Sequence, residues 1–220
     1  MPTRNTTPIF SLHRYIPMAA VTGVLLFALV ADEFPAFSQT HYSMTAFLRC
    51  TRDEAIMKAF ALMQQGGGEA SLTRIVNKPM RVIFKDMKTI NKTLKNYDAL
   101  SWLSNQGEQV IFVNEKHRTA PPEALAALIS HEAMHDDEFN SLSEEIQSWQ
   151  HEAEVWMEMK AKNPELAKIP TGSCALVDRE NRIETEYRKH TLDNFVRNSP
   201  GYQGLPEESP GFGAISASRE

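Results

Sequence analysis

The chain has 220 residues, of which 42% are hydrophobic and 23% charged, and its formal net charge is −5 at pH 7. This length and composition suit one globular domain with a full core and a short appendage, and they exclude two large domains. The mildly acidic balance offers no basic patch of the kind that holds phosphates, so we expect no nucleic-acid partner.

Residues 1–38 have the pattern of a secretory signal peptide. Arg4 and Arg14 precede an almost wholly apolar stretch, residues 18–31, and small residues follow at Ala36 and Ser38. About 14 apolar residues are too few for a comfortable membrane span, but they suit the core of a secretory signal. We therefore expect an exported protein, periplasmic or secreted. The alternative is an uncleaved N-terminal anchor, through which alone the chain would meet a membrane.

The rest of the chain predicts a mostly helical α+β domain over residues 39–198, followed by a Pro-, Gly- and Ser-rich tail, residues 199–220. Residues 87–103 have no clear period and are expected to be partly helical. Hydrophobic periodicity and residue type predict helices over residues 53–65, 123–136, 142–160 and, in part, 177–196, and strands over residues 80–84 and 109–114.

The clearest chemical signal is a His-Glu-x-x-His motif on the second of these helices, over residues 123–136, formed by His131, Glu132 and His135. Residues four apart on an α-helix are separated by about 40° around its axis, so both imidazoles project from one face and can take two corners of a zinc tetrahedron. Glu132 can then reach a metal-bound water as general base. The preceding residues are nearly all apolar, which predicts a buried helix rather than a solvated one.

A catalytic zinc needs a third protein ligand, and four glutamates of the next helix compete for that role: Glu144, Glu145, Glu152 and Glu154. On a helical wheel Glu145 lies about 60° from the centre of the apolar stripe, whereas Glu144 lies about 160° away and is expected to face solvent. Glu144 also fits a capping box with Ser141. Glu145 is therefore the predicted ligand, with Glu144 and Glu152 as alternatives.

Two cysteines and two histidines outside the motif also require an interpretation. Cys50 and Cys174 are the two cysteines, and in an oxidising compartment an isolated pair predicts a disulfide; the alternative is two buried thiols. His151 falls opposite the apolar stripe and is expected at the surface. His117 is not placed near the metal by anything in the sequence.

These residues together resemble the zincin metallopeptidases, in particular the small glutamate-type branch, the gluzincins. The likeness rests on the strand at residues 109–114, on the motif, and on Glu145 followed by the small residue Ser148. It covers roughly residues 109–156. The resemblance implies a zincin-like core in which an edge strand precedes the motif helix and binds an extended peptide by β-augmentation, and in which a second helix carries the third ligand.

The resemblance also implies roles for further residues. His131, His135 and Glu145 would bind Zn²⁺, and Glu132 would act as base and then as proton donor. The family's usual transition-state donor is a Tyr, His or Arg beyond the third ligand, for which the candidates are Tyr187, His190 and Tyr202. The residues expected to support the histidines from outside the coordination sphere are Asp136, Asp137 and Asn140.

The sequence leads to a zinc-dependent metallopeptidase whose partner is a peptide or protein substrate. Two alternatives remain. One is an exported zinc-binding protein without peptidase activity, and the other is a helical interaction module in which the two histidines are ordinary core residues.

Overall fold

Residues 41–78, 80–103, 108–135 and 140–208 are described by the computed structural model of the chain. The predicted signal sequence, the end of the predicted tail, and both Asp136 and Asp137 lie outside these ranges. The described residues belong to one compact unit, which spans Gln39–Glu220. It is α+β and mostly helical, as predicted.

Three helices begin the unit: α1 (Met44–Cys50), α2 (Glu54–Gln65) and α3 (Glu69–Asn77). The helix predicted over residues 53–65 is confirmed as α2. Asp53 is its N-cap, and the Asp53 side chain accepts a hydrogen bond from the amide of Ala55 at 3.0 Å. The helix ends at Gly66, where the following glycine has a φ of 55°. Its apolar stripe is buried in the core of the unit.

The sheet has three strands, β1 (Met80–Lys85), β2 (Ala99–Leu103) and β3 (Gln109–Asn114), in the order β1-β3-β2. β1 runs parallel to β3, and β2 runs antiparallel to it. The expectation that β3 is an edge strand is therefore wrong. Ile111 and Val113 of β3 are fully buried, whereas β2 ends in the half-exposed Trp102 and Leu103, so the more apolar strand takes the centre and β2 takes the edge.

Two long helices cross the core: α4 (Pro122–Glu132) and α5 (Leu142–Lys162). Residues 124–132 of α4 are all buried, as the apolar run predicts, because the helix packs between α2, α5 and the sheet. The prediction that this helix continues to residue 136 is wrong. It ends at Glu132, and His135 lies just beyond it.

The chain returns over α5 through α6 (Ala175–Arg188), α7 (Leu192–Arg197) and a short 3₁₀ turn at Pro200–Tyr202. The amides of Leu142 and Ser143, in the first turn of α5, donate to the carbonyls of Pro206 and Glu207 at 2.9 and 3.0 Å. These amides have no partner inside their own helix, so the bonds fix the returning segment. Residues 199–208 are thus part of the domain, and the prediction of a separate tail from residue 199 is wrong for them.

The predicted disulfide is not formed in the structure, where Cys50 and Cys174 are both free. The buried Cys50 thiol lies 3.6 Å from the carbonyl oxygens of Ala46 and Ile75, and Cys174 is the N-cap residue of α6. Among the described helices, none has both the length and the apolar content that a membrane crossing requires.

Candidate metal centre

His131, His135 and Glu145 come together where the end of α4 meets the first turn of α5. Each offers a ligand atom, and these three atoms lie within 4.8 Å of one another. Nε2 of His131 is 3.6 Å from Oε2 of Glu145, and Nε2 of His135 is 4.0 Å from Oε1 of the same carboxylate. All three side chains are buried.

The other nitrogen of each imidazole contacts a second glutamate of α5. Nδ1 of His131 lies 3.0 Å from Oε2 of Glu152, and Nδ1 of His135 lies 3.2 Å from Oε1 of Glu144. In a neutral, metal-binding ring, a carboxylate near Nδ1 favours the tautomer that carries its proton on that nitrogen, which leaves the lone pair of Nε2 towards Glu145. Both rings therefore present a ligand atom to the same point.

This donor set fits a small divalent metal. Bonds of about 2.0–2.1 Å at the tetrahedral angle place two ligand atoms about 3.3 Å apart, which is close to the separations between Glu145 and the two histidines. Oε2 of Glu145 is buried and has no hydrogen-bond partner among the described residues. A buried polar atom without a partner is expected where it binds an ion.

The charges around the site also favour a cation. Although burial opposes the protonated ring, the carboxylates of Glu152 and Glu145 raise the pKa of His131 to about 10. Burial likewise opposes the ionised form of Glu145, but the neighbouring His131 ring lowers the pKa of its carboxyl. A carboxylate-rich cluster that raises the proton affinity of an imidazole will also attract a metal ion in place of that proton.

Glu132 lies beside the three ligand residues on the wall of a cleft of about 240 Å³. Burial is the largest cause of the raised pKa of its carboxyl. The cleft is also bordered by Ala99, Leu100 and Ser101 of the edge strand β2. One cavity thus brings together the buried Glu132, the three candidate metal ligands and the edge strand β2.

Of the three predicted transition-state donors, Tyr202 is the one that the structure brings to the cleft. It lies on the returning C-terminal segment, and its hydroxyl accepts a hydrogen bond from Nε1 of Trp149 at 2.9 Å. It also helps to lower the pKa of Glu145. Tyr187 instead donates to Oε1 of the exposed Glu154 at 2.7 Å.

His190, the third candidate, is exposed and has a φ of 57°, in the left-handed region. Neither Tyr187 nor His190 is among the described residues that line the cleft. Asn140 does line it, beside the ligand cluster. The side chains that contact the histidines from behind are, however, Glu144 and Glu152.

A buried ion network supports the site from the side of α6. Arg179 makes a two-pronged ion pair with Glu152, with Nη2 3.1 Å from Oε2, and its Nε lies 3.3 Å from Oδ2 of Asp98. Burial opposes ionisation of Glu152, but Arg179 and His131 lower the pKa of its carboxyl. His117 lies at the far end, with Nε2 2.8 Å from Oδ1 of Asp98, so it belongs to the network and not to the ligand cluster.

Two expectations for α5 are wrong. Glu144 does not face solvent but is 4% exposed, and His151 is half-buried, with Nε2 2.6 Å from Oγ of the buried Ser71. Both lie on faces of α5 that neighbouring segments cover. Glu144 and Glu152 lie about two turns apart on α5, and only the position of that helix beside the two histidines brings each glutamate to its ring.

Comparisons with protein-family models, with curated proteins and with solved structures give no match for this chain.

Proposed function

We propose that the protein is a zinc-dependent metallopeptidase with His131, His135 and Glu145 as the metal ligands. The observation that carries the proposal is the convergence of these three ligand atoms beside Glu132, on the wall of a cleft that reaches the strand edge of β2. A site for structural zinc is closed and commonly built from thiolates, whereas this cluster opens into a cavity and contains no cysteine.

Zinc suits the donor set because it accepts imidazole and carboxylate ligands in a tetrahedron. When bound, it supplies a Lewis acid that polarises the scissile carbonyl and lowers the pKa of a water molecule towards about 7. The carboxylates of Glu144 and Glu152 fix the orientation of the two ligand rings.

Glu132 is the general base of the proposed reaction. Its carboxylate accepts a proton as the water oxygen bonds to the carbonyl carbon, and returns that proton to the amine nitrogen as the C–N bond breaks. Burial raises the pKa of this carboxyl, which makes it a better proton acceptor than an ordinary glutamate. The hydroxyl of Tyr202 lines the same cleft and is the donor that stabilises the developing oxyanion.

The substrate is an extended segment of a peptide or protein. Among the described residues, β2 pairs with β3 along one side only, and its residues Ala99–Ser101 line the cleft. The unpaired backbone groups of an edge strand bind an extended chain by adding it to the sheet. The peptide-binding role predicted for β3 therefore passes to β2.

Metal analysis and hydrolysis assays on three proteins test the proposal. We expect one zinc per chain in wild-type protein prepared without chelator, loss of zinc from Glu145→Ala, and retained zinc with lost hydrolysis of unfolded polypeptides in Glu132→Gln. Absence of zinc from the wild type would reject any metal-dependent function. Zinc without hydrolysis in the wild type would favour a metal-binding protein that is not a peptidase.

Export is a further part of the proposal, and the apolar segment at residues 18–31 supports it. Cell fractionation of the full chain, with sequencing of the mature N-terminus, tests it. Retention of the intact chain in the cytoplasm would contradict it.

A further inference from the structure

His135 lies beyond the hydrogen-bonding pattern of the helix that carries the other motif residues. The last helical residue of α4 is Glu132, and a tighter turn follows, in which the amide of Met134 donates to the carbonyl of His131 at 2.9 Å. A residue in the middle of a helix is held by bonds on both sides, whereas His135 has left that ladder. Its position therefore depends on other contacts.

Two side chains from distant elements hold this turn. Nη2 of Arg74, on α3, donates to the carbonyl of Met134 at 3.1 Å. Nε2 of Gln109, the first residue of β3, donates to the carbonyl of His135 at 3.0 Å. Gln109 is only 9% exposed, so its bond is shielded from competing water.

We propose that Gln109 and Arg74 are positioning residues for the metal ligand His135. They bind the backbone carbonyls before and after the Cα of His135, while Glu144 contacts the ring at Nδ1. A ligand held at both ends keeps Nε2 within reach of the metal, and small displacements of a ligand atom weaken a metal site strongly. The inference rests on the metal centre of the proposed function and adds two residues to it.

Gln109 also connects the metal centre to the substrate strand. The same Nε2 donates to Oγ of Ser101 at 2.7 Å, and Ser101 borders the cleft. One amide group therefore fixes both the second histidine and the edge strand β2. A displacement of β2 or of His135 therefore acts on the other through the two hydrogen bonds of the Gln109 amide.

The test replaces Gln109 by methionine, which has a similar volume but no donor group. Gln150→Met makes the same change at an exposed position of α5 and is the matched control. Arg74→Met removes the second contact and serves if Gln109→Met does not fold. The measurements are the rate of zinc release to an excess of chelator, the visible spectrum of the Co²⁺-loaded protein, and the urea midpoint of the metal-free protein.

We expect zinc release about 10-fold faster or more in Gln109→Met and in Arg74→Met, together with a changed Co²⁺ spectrum. The control should match the wild type in both. A variant that unfolds earlier in urea but releases zinc at the wild-type rate, with an unchanged spectrum, would overturn the positioning role. If the wild type itself binds neither metal, the proposed function fails and this inference falls with it.

Discussion

The carboxylate of Glu152 lies between the imidazole of His131 and the guanidinium of Arg179, 3.0 Å from Nδ1 of the imidazole. It is fully buried, and its pKa is lowered by Arg179 and His131 against the effect of burial. An ionised carboxylate at that nitrogen makes the ring a stronger ligand and fixes its orientation. In the proposed metal centre, this buried acid supports the ligand His131 without binding the ion itself.

We expect Glu152→Gln to weaken zinc affinity about 10- to 100-fold, because the amide cannot supply the negative charge that polarises His131. Competition with a chelator of known affinity measures the loss. Glu158→Gln, at a partly exposed position of the same helix, is the control and should bind zinc like the wild type. Equal affinities of the two variants would contradict the role given to Glu152.

Arg179 is expected to matter chiefly for stability. Arg179→Met removes the cation that compensates the buried Glu152, and breaking a buried ion pair in this way costs about 3–5 kcal/mol of unfolding free energy. Urea unfolding of the metal-free protein measures it. Adding Glu152→Gln to Arg179→Met should recover part of the loss, since the buried carboxylate of Glu152 is then no longer left without its cation. A further loss would argue against the pairing.

Tyr202→Phe should lower kcat and leave KM nearly unchanged. The ring still fills its place beside Trp149, but the hydroxyl that faces the cleft is lost. Removal of one oxyanion donor typically costs about 10²–10³ in kcat. Steady-state kinetics on a peptide substrate give both constants, and zinc content should stay at the wild-type level. A rise in KM alone would assign Tyr202 to substrate binding instead.

Ser141→Ala should destabilise the protein by about 1 kcal/mol, the usual cost of losing an N-cap side chain. Ser141 is fully buried, and its Oγ accepts a hydrogen bond from the amide of Glu144 at 3.3 Å. The midpoint of thermal unfolding measures the change. Ser143 lies two residues further along and is half-buried, so Ser143→Ala should lower the stability by less. The reverse order would mean that Ser143 caps the helix.

Local pattern alone identifies His131, Glu132 and His135 as a candidate site, because the His-Glu-x-x-His spacing is visible in the sequence itself. The helical geometry predicted for that spacing is wrong for His135, which lies beyond the end of α4. Local pattern also predicts β1 and β3 and the positions of α2 and α5, but it misses β2, α1 and α3. Helical phase selects Glu145 over Glu144 for the ligand position. These inferences need only the geometry of a single element.

The remaining features depend on what packs around each element. A helical wheel gives the angle of a residue about the helix axis, but it does not show which segments pack around that helix. The burial of Glu144 therefore cannot be read from α5 alone. The order of the strands, the arrival of Tyr202 and the pairing of Arg179 with Glu152 are set by contacts between segments far apart in the chain. The sequence by itself determined the candidate ligands, and only the tertiary structure decided which side chains contact them, because those contacts act across space and not along the chain.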